Sequence, residues 1–380
     1  MQSDPSSQSL AQTRTKKRPR TDSFDNEIAL ALTGLTDIPS ISVARDPKYY
    51  QVNGDCKIRV GNTLFSIHRS LFEPDFLAFQ SMLQLNSASG LTDENPIILA
   101  RDTAEHFRAL CWALYALSNS LTPEQTEGNS IELLTDLAFI SHKYQLATIQ
   151  SWSMNAIRRK CDHDICLWDN EKSYLIHCPD HLLSILLRLF VLYDETALQL
   201  LVTNSWITRL TSELPLSAFS TAFEFAEDNK LRTFLGQLYY ARLTVADHES
   251  RHATFPQVNF PLQELEERHV QRIMRGSWAL SNAWQNLLLS LPSLPAHSGC
   301  QQHDSKCIPE WKKLWASAST RGSVSDIRSK LRYIRDCLVN ASYYGNGRIS
   351  LGCITAGQSI VVPLIEKVEL AFPDYFLGPE

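Results

Sequence analysis

The sequence is 380 residues long, of which 44% are hydrophobic and 20% charged, and its formal net charge is −5. This length has room for two or three domains, and the composition is typical of a soluble globular protein with a large core. The slightly acidic charge argues against nucleic-acid binding through bulk electrostatics. No apolar run approaches the roughly 18 residues that a membrane span needs.

The N-terminal 40 residues are polar and basic, and they lack the apolar segment of a secretory signal. We expect residues 1–40 to form a disordered tail with one weak amphipathic helix over 24–36. Within the tail lies a compact basic cluster that contains Lys16, Lys17, Arg18 and Arg20. Such a cluster is typical of a nuclear import signal, and the alternative is a solvated basic tail. The expected localisation is therefore the nucleus or the cytoplasm.

A β-hairpin is predicted from Asp55 onwards, with Gly61-Asn62 as its two-residue turn. This turn fixes the cross-strand pairs Val60–Thr63, Ile58–Phe65 and Cys56–Ile67. These pairs place the apolar side chains of both strands on one face. The opposite face then holds Lys57, Arg59, Ser66 and, as its single apolar residue, Leu64.

The same residues carry a family resemblance. An acidic residue opens the first strand, and Phe-x-x-His-Arg followed by Leu-Phe leads from the hairpin towards a helix. This pattern resembles the BTB/POZ domain, and the matching residues are Asp55, Ile58, Val60, Phe65, His68, Arg69 and Leu71. Segments 46–50 and 94–117 are similar to the BTB proteins of mushroom-forming (basidiomycete) fungi. The resemblance covers residues 43 to 160.

The resemblance implies an α+β fold, in which a BTB/POZ domain with a short sheet capped by paired helices precedes an all-α C-terminal region. The expected regions are a tail over 1–40, a BTB/POZ domain over 41–160, a helical post-BTB region over 161–260 and a C-terminal helical region with a Cys/His-containing loop over 261–380. The resemblance also implies homodimerisation. Its dimer and fold motif consists of Asp55, His68, Arg69 and Leu71. For Asp55 with Arg69, the alternative is a local role in satisfying backbone amides.

Helical spacing of apolar residues predicts the remaining elements. In the first half of the chain we expect helices over 76–83, 103–117, 131–144 and 148–158, and a short buried strand over 97–99. Beyond residue 180 we expect helices alone, over 182–190, 198–207, 215–225, 231–243, 262–291, 311–318, 324–341 and 360–372. Leucine and aromatic stripes on these helices indicate a packed core.

No catalytic constellation is evident in the sequence. We find no Gly-rich phosphate loop, no nucleophile elbow and no His-Glu-x-x-His motif. His68 lies at a strand-to-helix junction, which favours a structural role for its imidazole. The chain is therefore expected to be a non-enzymatic interaction protein.

A candidate metal site lies between His297 and Cys307, where His297, Cys300, His303 and Cys307 occur within eleven residues. Thiolates and imidazoles together are typical of tetrahedral zinc sites. The fungal proteins that the chain resembles carry further cysteines in this part, including a later pair. Here Cys353 stands for that pair, while Ala356 occupies the place of its second member. The expectation for this loop is that its thiols bind no cofactor. The alternative is one structural zinc, held by Cys300, Cys307, Cys353 and either His303 or His297.

The expected partner is a second copy of the chain, which would act as an adaptor or scaffold. One alternative is a substrate adaptor of a cullin-type ubiquitin ligase, which would bind the cullin through the helices between residues 121 and 157. Another is a nuclear transcriptional co-regulator that acts through partners. We expect neither direct nucleic-acid binding nor membrane binding.

Overall fold

The computed structural model describes residues 43–72, 90–117, 130–166, 174–212, 217–252, 262, 265–344 and 349–379. The chain divides into two compact units. The sheet unit comprises Met1–Ser70 with Met82–Ala104, and the helical unit comprises Leu71–Ser81 with Glu105–Glu380. A small sheet near the N-terminus followed by helices belongs to the α+β class, as predicted.

Four short strands form the sheet: β1 (Ala44–Tyr50), β2 (Cys56–Val60), β3 (Thr63–Ile67) and β4 (Ile97–Leu99). Their order is β1-β3-β2-β4, with β2 antiparallel to β3 and both outer strands parallel to their neighbours. The predicted hairpin is confirmed, because its pairs are Val60–Thr63, Ile58–Phe65 and Cys56–Ile67. Gly61 has a φ of 56°, which is the left-handed conformation that this two-residue turn requires. The strand predicted over 97–99 is confirmed as β4.

Leu64, the single apolar residue on the polar face of the predicted hairpin, is explained by the position of β3 in the sheet. β3 is an inner strand, and both of its faces are buried, including Leu64 and Ser66. The Ser66 hydroxyl donates to the carbonyl of Gln51 at 2.5 Å and accepts from Nζ of Lys57 at 2.7 Å. The one buried polar side chain on this inner strand therefore has hydrogen-bond partners, as a buried hydroxyl needs.

Helices make up most of the described part of the helical unit. They are α1 (Ala104–Leu117), α2 (Ile131–Lys143), α3 (Ala147–Cys166), α4 (Tyr174–His177), α5 (Asp180–Leu192), α6 (Thr196–Ser212), α7 (Ser217–Asp228), α8 (Arg232–His252), α9 (Glu267–Leu289), α10 (Ile308–Ser319), α11 (Ile327–Tyr344), α12 (Leu351–Leu370) and α13 (Phe372–Leu377). The apolar stripes that predicted most of these helices lie in their buried faces. The predicted domain boundaries remain predictions; residue 160 lies inside α3.

Three helices extend well beyond their predicted bounds. α3 ends at residue 166 instead of 158, α8 ends at 252 instead of 243, and α12 begins at 351 instead of 360. The ends of α3 and α8 are polar, so no apolar period marks them in the sequence. In α12, Gly352, Gly357 and Pro363 all lower helix propensity. Burial of one face of α12 outweighs that cost.

Three buried tryptophans hold the start of α10 in place. The Trp284 and Trp315 rings stack with centroids 5.8 Å apart, and Trp311 meets Trp315 edge-on at 5.7 Å. Nε1 of Trp311 donates to the carbonyl of Pro292 at 2.8 Å. This bond ties the segment after α9 to α10, and three of the four candidate metal ligands, Cys300, His303 and Cys307, lie between Pro292 and the start of α10.

The short helix α13 packs closely against α8 and α9 at two glycines. A Cβ at Gly236 would lie 2.6 Å from the backbone nitrogen of Pro373, and a Cβ at Gly276 would overlap the ring of Phe376. Phe376 is fully buried. Only a residue without a side chain permits these approaches.

Several sequence predictions concern residues outside the described ranges. They are the basic cluster with Lys16, Lys17, Arg18 and Arg20, the helices over 24–36 and 76–83, and the polar loop over 118–129.

Within the described residues, one helix, α12, is long and apolar enough to cross a membrane by length and composition. In the sequence, Gln358, Ser359 and Pro363 interrupt the apolar run of this helix. Core helices of soluble proteins meet the same criterion. In this chain the buried residues of α12 are Cys353, Ile354, Gly357, Val361, Ile365 and Val368, which recur at helical spacing on one side.

Candidate metal centre

Three candidate ligands lie in the segment that leads into α10. His303–Cys307 forms one turn of π-helix, in which the backbone amides of Lys306 and Cys307 donate to the carbonyl of Gln302 at 2.9 and 3.3 Å. π-helical turns occur frequently at functional sites. Here the turn brings the side chains of His303 and Cys307 to the same place as that of Cys300.

The fourth candidate, Cys353, lies in the first turn of α12 and is fully buried. The preceding Ser350 is the N-cap of this helix, and its backbone N–H donates to Sγ of Cys307 at 3.5 Å. The N-terminus of α12 therefore faces the thiols. The partial positive charge of a helix N-terminus favours the thiolate form, which is the form that binds metals.

The ligand atoms of Cys300, His303, Cys307 and Cys353 all lie within 4.8 Å of one another. In a tetrahedral zinc site with Zn–S bonds of about 2.3 Å, two sulfurs are about 3.8 Å apart, and sulfur and nitrogen about 3.6 Å. The observed distances are 3.7 Å between Sγ of Cys300 and Sγ of Cys307, and 3.3 Å between Nδ1 of His303 and Sγ of Cys353. The cluster therefore has nearly the dimensions that zinc requires.

The thiols of the cluster differ in acidity. A hydrogen bond with Ser350 lowers the pKa of Cys300, whereas burial raises the pKa of Cys353. A cation at the centre would deprotonate both thiols, since metal binding releases the protons of its ligands. The three thiols and the imidazole thus match the chemistry of a Cys3His zinc site.

A cavity of about 400 Å³ borders the cluster on the side of Cys300 and Cys307. Lys306, Ser342 and Ser350 also line it. Cys300 is half-exposed, whereas Cys307 and Cys353 are buried. An ion would therefore have an entry path from the Cys300 side.

Of the two candidate histidines, the structure places His303 with the three cysteines. His297 is exposed, and its Nδ1 accepts from the backbone N–H of Gly299 at 3.2 Å. Its ring lies beside Gly352, where a Cβ would come within 2.6 Å of Cδ2. His297 therefore covers the start of α12, next to the cluster, while His303 is the histidine that could supply a nitrogen ligand.

The predicted dimer and fold motif lies in and beside the hairpin. Oδ1 of Asp55 accepts from the backbone N–H of Arg69 at 2.6 Å, which is the local backbone contact considered for this pair. His68 is half-buried between β3 and a 3₁₀ turn over Arg69–Phe72, and Leu71 lies in that turn. The acidic side chain thus fixes the point at which the chain leaves β3.

The other cysteines whose side chains are described contribute no further centre. The eight cysteines whose side chains the structure describes are all free thiols. Ser350, which contacts the cluster through both its backbone and its side chain, was not predicted as part of the site. The signal for Ser350 would have been its position as a hydroxyl residue three places before Cys353, since residues that hydrogen-bond to metal ligands often lie beside them.

The four side chains form a closed set, because zinc bound by four protein ligands has no open position for a substrate. Such sites are structural, whereas catalytic zinc sites keep one position for water.

Comparison of the chain with protein-family models, with curated proteins and with solved structures finds no match.

Proposed function

We propose that this chain is a non-enzymatic interaction protein that homodimerises through a BTB/POZ-like N-terminal region and acts as an adaptor or scaffold. The observation that carries the proposal is the Cys3His cluster, whose four protein ligands suit a structural zinc. A zinc ion there would hold the helical unit in one shape without performing chemistry. A rigid helical surface of this kind suits the binding of another protein.

The zinc would connect elements that are distant in the sequence. His303 and Cys353 are 50 residues apart, and α10 and α11 lie between them. Linking the two ends of a long segment removes conformational freedom from the unfolded chain. Metal binding at such a site also adds directly to the free energy of folding. The ion would therefore act as a cross-link that stabilises the C-terminal helices.

Homodimerisation is supported by the sheet unit. The hairpin motif that resembles BTB/POZ domains forms in the predicted register. Both edge strands carry exposed apolar side chains at or beside them, Val43 at 40% exposed and Ile98 at 64%. Exposed apolar groups on a sheet edge suit a two-fold contact with a second copy.

The full chain is therefore expected to be a dimer in solution. Size-exclusion chromatography with light scattering should report twice the mass of one chain at low micromolar concentration. The mass should not change in 1 M sodium chloride, because salt screens charges over about 3 Å at that concentration but does not weaken apolar burial. A concentration of about 50 micromolar is well above the usual dissociation constants of obligate dimers, so a mass of one chain at that concentration would contradict the dimer.

A cullin-type ubiquitin ligase is the partner class that the resemblance favours for an adaptor. The helices α2 and α3, which follow the sheet unit in sequence, include the described part of the segment between 121 and 157. Tagged full-length chain should retain a cullin in a pull-down, and a variant with several exposed residues of α2 and α3 changed should not. If neither the unchanged chain nor the variant retains a cullin, cullins are not partners of this chain.

A further inference from the structure

A second site of the helical unit lies away from the metal centre, in a cavity of about 520 Å³. Residues at helical spacing on α6 form one wall, and residues of α8 form the next. The lining comprises Leu200, Asn204, Ile207, Thr208 and Thr211 of α6, Gln237, Ala241 and Thr244 of α8, Arg328 and Arg332 of α11, Glu369 of α12 and Phe372 of α13. This volume is within the range of small-molecule sites in proteins.

The charges in the cavity are unequal. Two arginines, Arg328 and Arg332, and one carboxylate, that of Glu369, line it. The carboxylate forms an ion pair with Arg332, in which Nη2 lies 2.7 Å from Oε1 of Glu369. The guanidinium of Arg328 forms no ion pair or hydrogen bond with any residue that the structure describes. Its Nε is buried and lacks an acceptor. A buried donor without a partner is uncommon in folded proteins, and it indicates a missing acceptor.

Contacts around Arg328 explain why its acidic neighbour Asp326 does not supply that acceptor. The nearest acidic neighbour in sequence, Asp326, accepts from the hydroxyl of Tyr240 and from the backbone N–H of Ser329. The guanidinium of Arg328 lies over the Tyr240 ring at 4.6 Å, and that ring stacks on Phe372 at 4.2 Å. The aromatic pair therefore supports one face of the guanidinium and leaves its N–H groups for another acceptor.

Neutral polar groups complete the cavity. The side chains of Asn204, Thr208 and Gln237 make no hydrogen bond with another residue that the structure describes, so their donors and acceptors are available. Leu200 and Ile207 add apolar surface on the α6 wall. A pocket with one planar cation, several amides and hydroxyls, and some apolar surface matches a small polar organic anion.

We propose that this cavity binds a low-molecular-weight organic anion, a carboxylate or a phosphate ester, through Arg328. The planar fork of an arginine forms two parallel hydrogen bonds with either group. Asn204, Thr208 and Gln237 contact the neutral polar part of the ligand. The site is independent of the metal centre and of dimerisation, so each can fail without the others.

The test uses the zinc-supplemented full chain and two simple probes, inorganic phosphate and succinate, with sodium chloride at equal ionic strength as the blank. Isothermal titration should show saturable binding of at least one probe. Arg328→Gln should weaken that binding roughly tenfold or more, because two charge-assisted hydrogen bonds are lost. The matched control is Arg335→Gln, since Arg335 lies on the same helix but is half-exposed, paired with Asp336 and outside the cavity; it should bind as the unchanged chain does.

Two further variants keep the proposal testable if Arg328→Gln fails to fold. Arg328→Lys keeps the charge and the aliphatic stem but loses the planar fork, so binding should weaken while the circular dichroism spectrum stays the same. Asn204→Leu fills the opposite wall without changing any charge, and it should also weaken binding. Which probe binds more tightly distinguishes a phosphate ligand from a carboxylate ligand. The proposal is overturned if neither probe binds the unchanged chain, or if the folded variants of Arg328 and Asn204 bind as well as the unchanged chain does.

Discussion

Single residues do most to define the hairpin and its exit. Asp55 accepts the backbone N–H of Arg69 across the end of the hairpin at 2.6 Å. The same geometry occurs where an acidic side chain caps a helix, and loss of such a cap costs about 1 kcal/mol. The residue that opens the resemblance motif thus has a physical role in the sheet unit itself.

Asp55→Ala should loosen the turn after β3. The Arg69 N–H loses its acceptor, and a cost of about 1 kcal/mol corresponds to roughly fivefold faster exchange of the amide hydrogens in this turn. Hydrogen exchange followed by mass spectrometry, on the peptide over 63–72 of the full chain, measures this. Glu94→Ala, which removes an exposed carboxylate of the same unit, is the control and should leave exchange unchanged. Unchanged exchange in Asp55→Ala would mean that the contact is not needed.

Only part of the metal site could be predicted at the scale of residues. The spacing of Cys300, His303 and Cys307 within one loop is visible in the sequence. Cys353 entered through the resemblance, since its partners lie 50 residues away and spacing cannot detect a contact across two helices. The choice between His303 and His297 depends on the path of the loop, which the π-turn and the Trp311 anchor determine.

At the scale of elements, the apolar period predicted where most helices lie but not where they end. It identified the hairpin register, because turn chemistry and alternation agree there. It missed nine residues of α12, because glycines and a proline hide a helix whose stability comes from tertiary burial. The cavity at Arg328 was also out of reach, since it is formed by five helices from different parts of the chain.

Gly276→Ala should destabilise the helical unit, although alanine is the better helix former. The gain in helix propensity is about 1 kcal/mol. Overpacking costs about 1–3 kcal/mol, and the buried ring of Phe376 has no space to yield. Thermal unfolding followed by circular dichroism should therefore show a lower Tm.

Ser277→Ala is the matched control for Gly276→Ala, because it raises propensity in the same helix at a half-exposed position. It should leave the Tm unchanged or raise it slightly. A Tm for Gly276→Ala at or above that of the unchanged chain would show that α13 does not pack as closely on α9 as the structure indicates.

At the scale of the whole molecule, the basic cluster in the tail predicts nuclear accumulation. Changing Lys16, Lys17 and Arg18 together to alanine should shift tagged full-length protein towards the cytoplasm, because import receptors recognise clustered positive charge. Fluorescence microscopy of the two proteins measures the nuclear fraction. Alanine at Lys312 and Lys313, an exposed lysine pair on α10, is the control for loss of charge alone. Equal nuclear fractions for the cluster variant and the unchanged protein would remove the import signal.

The central claim is that the Cys3His cluster binds a structural zinc that cross-links the C-terminal helices. Metal analysis of the purified chain tests it most directly. Full-length protein, prepared without chelators in zinc-containing medium, should carry about one zinc per chain by elemental mass spectrometry. Cys337→Ser should keep the metal, because Cys337 is a free, half-buried thiol on α11 outside the cluster. The double variant Cys300→Ser with Cys307→Ser should lose it and melt at a lower temperature, since binding adds to folding stability. Metal-free protein, or a double variant with the zinc content and Tm of the unchanged chain, would contradict the claim.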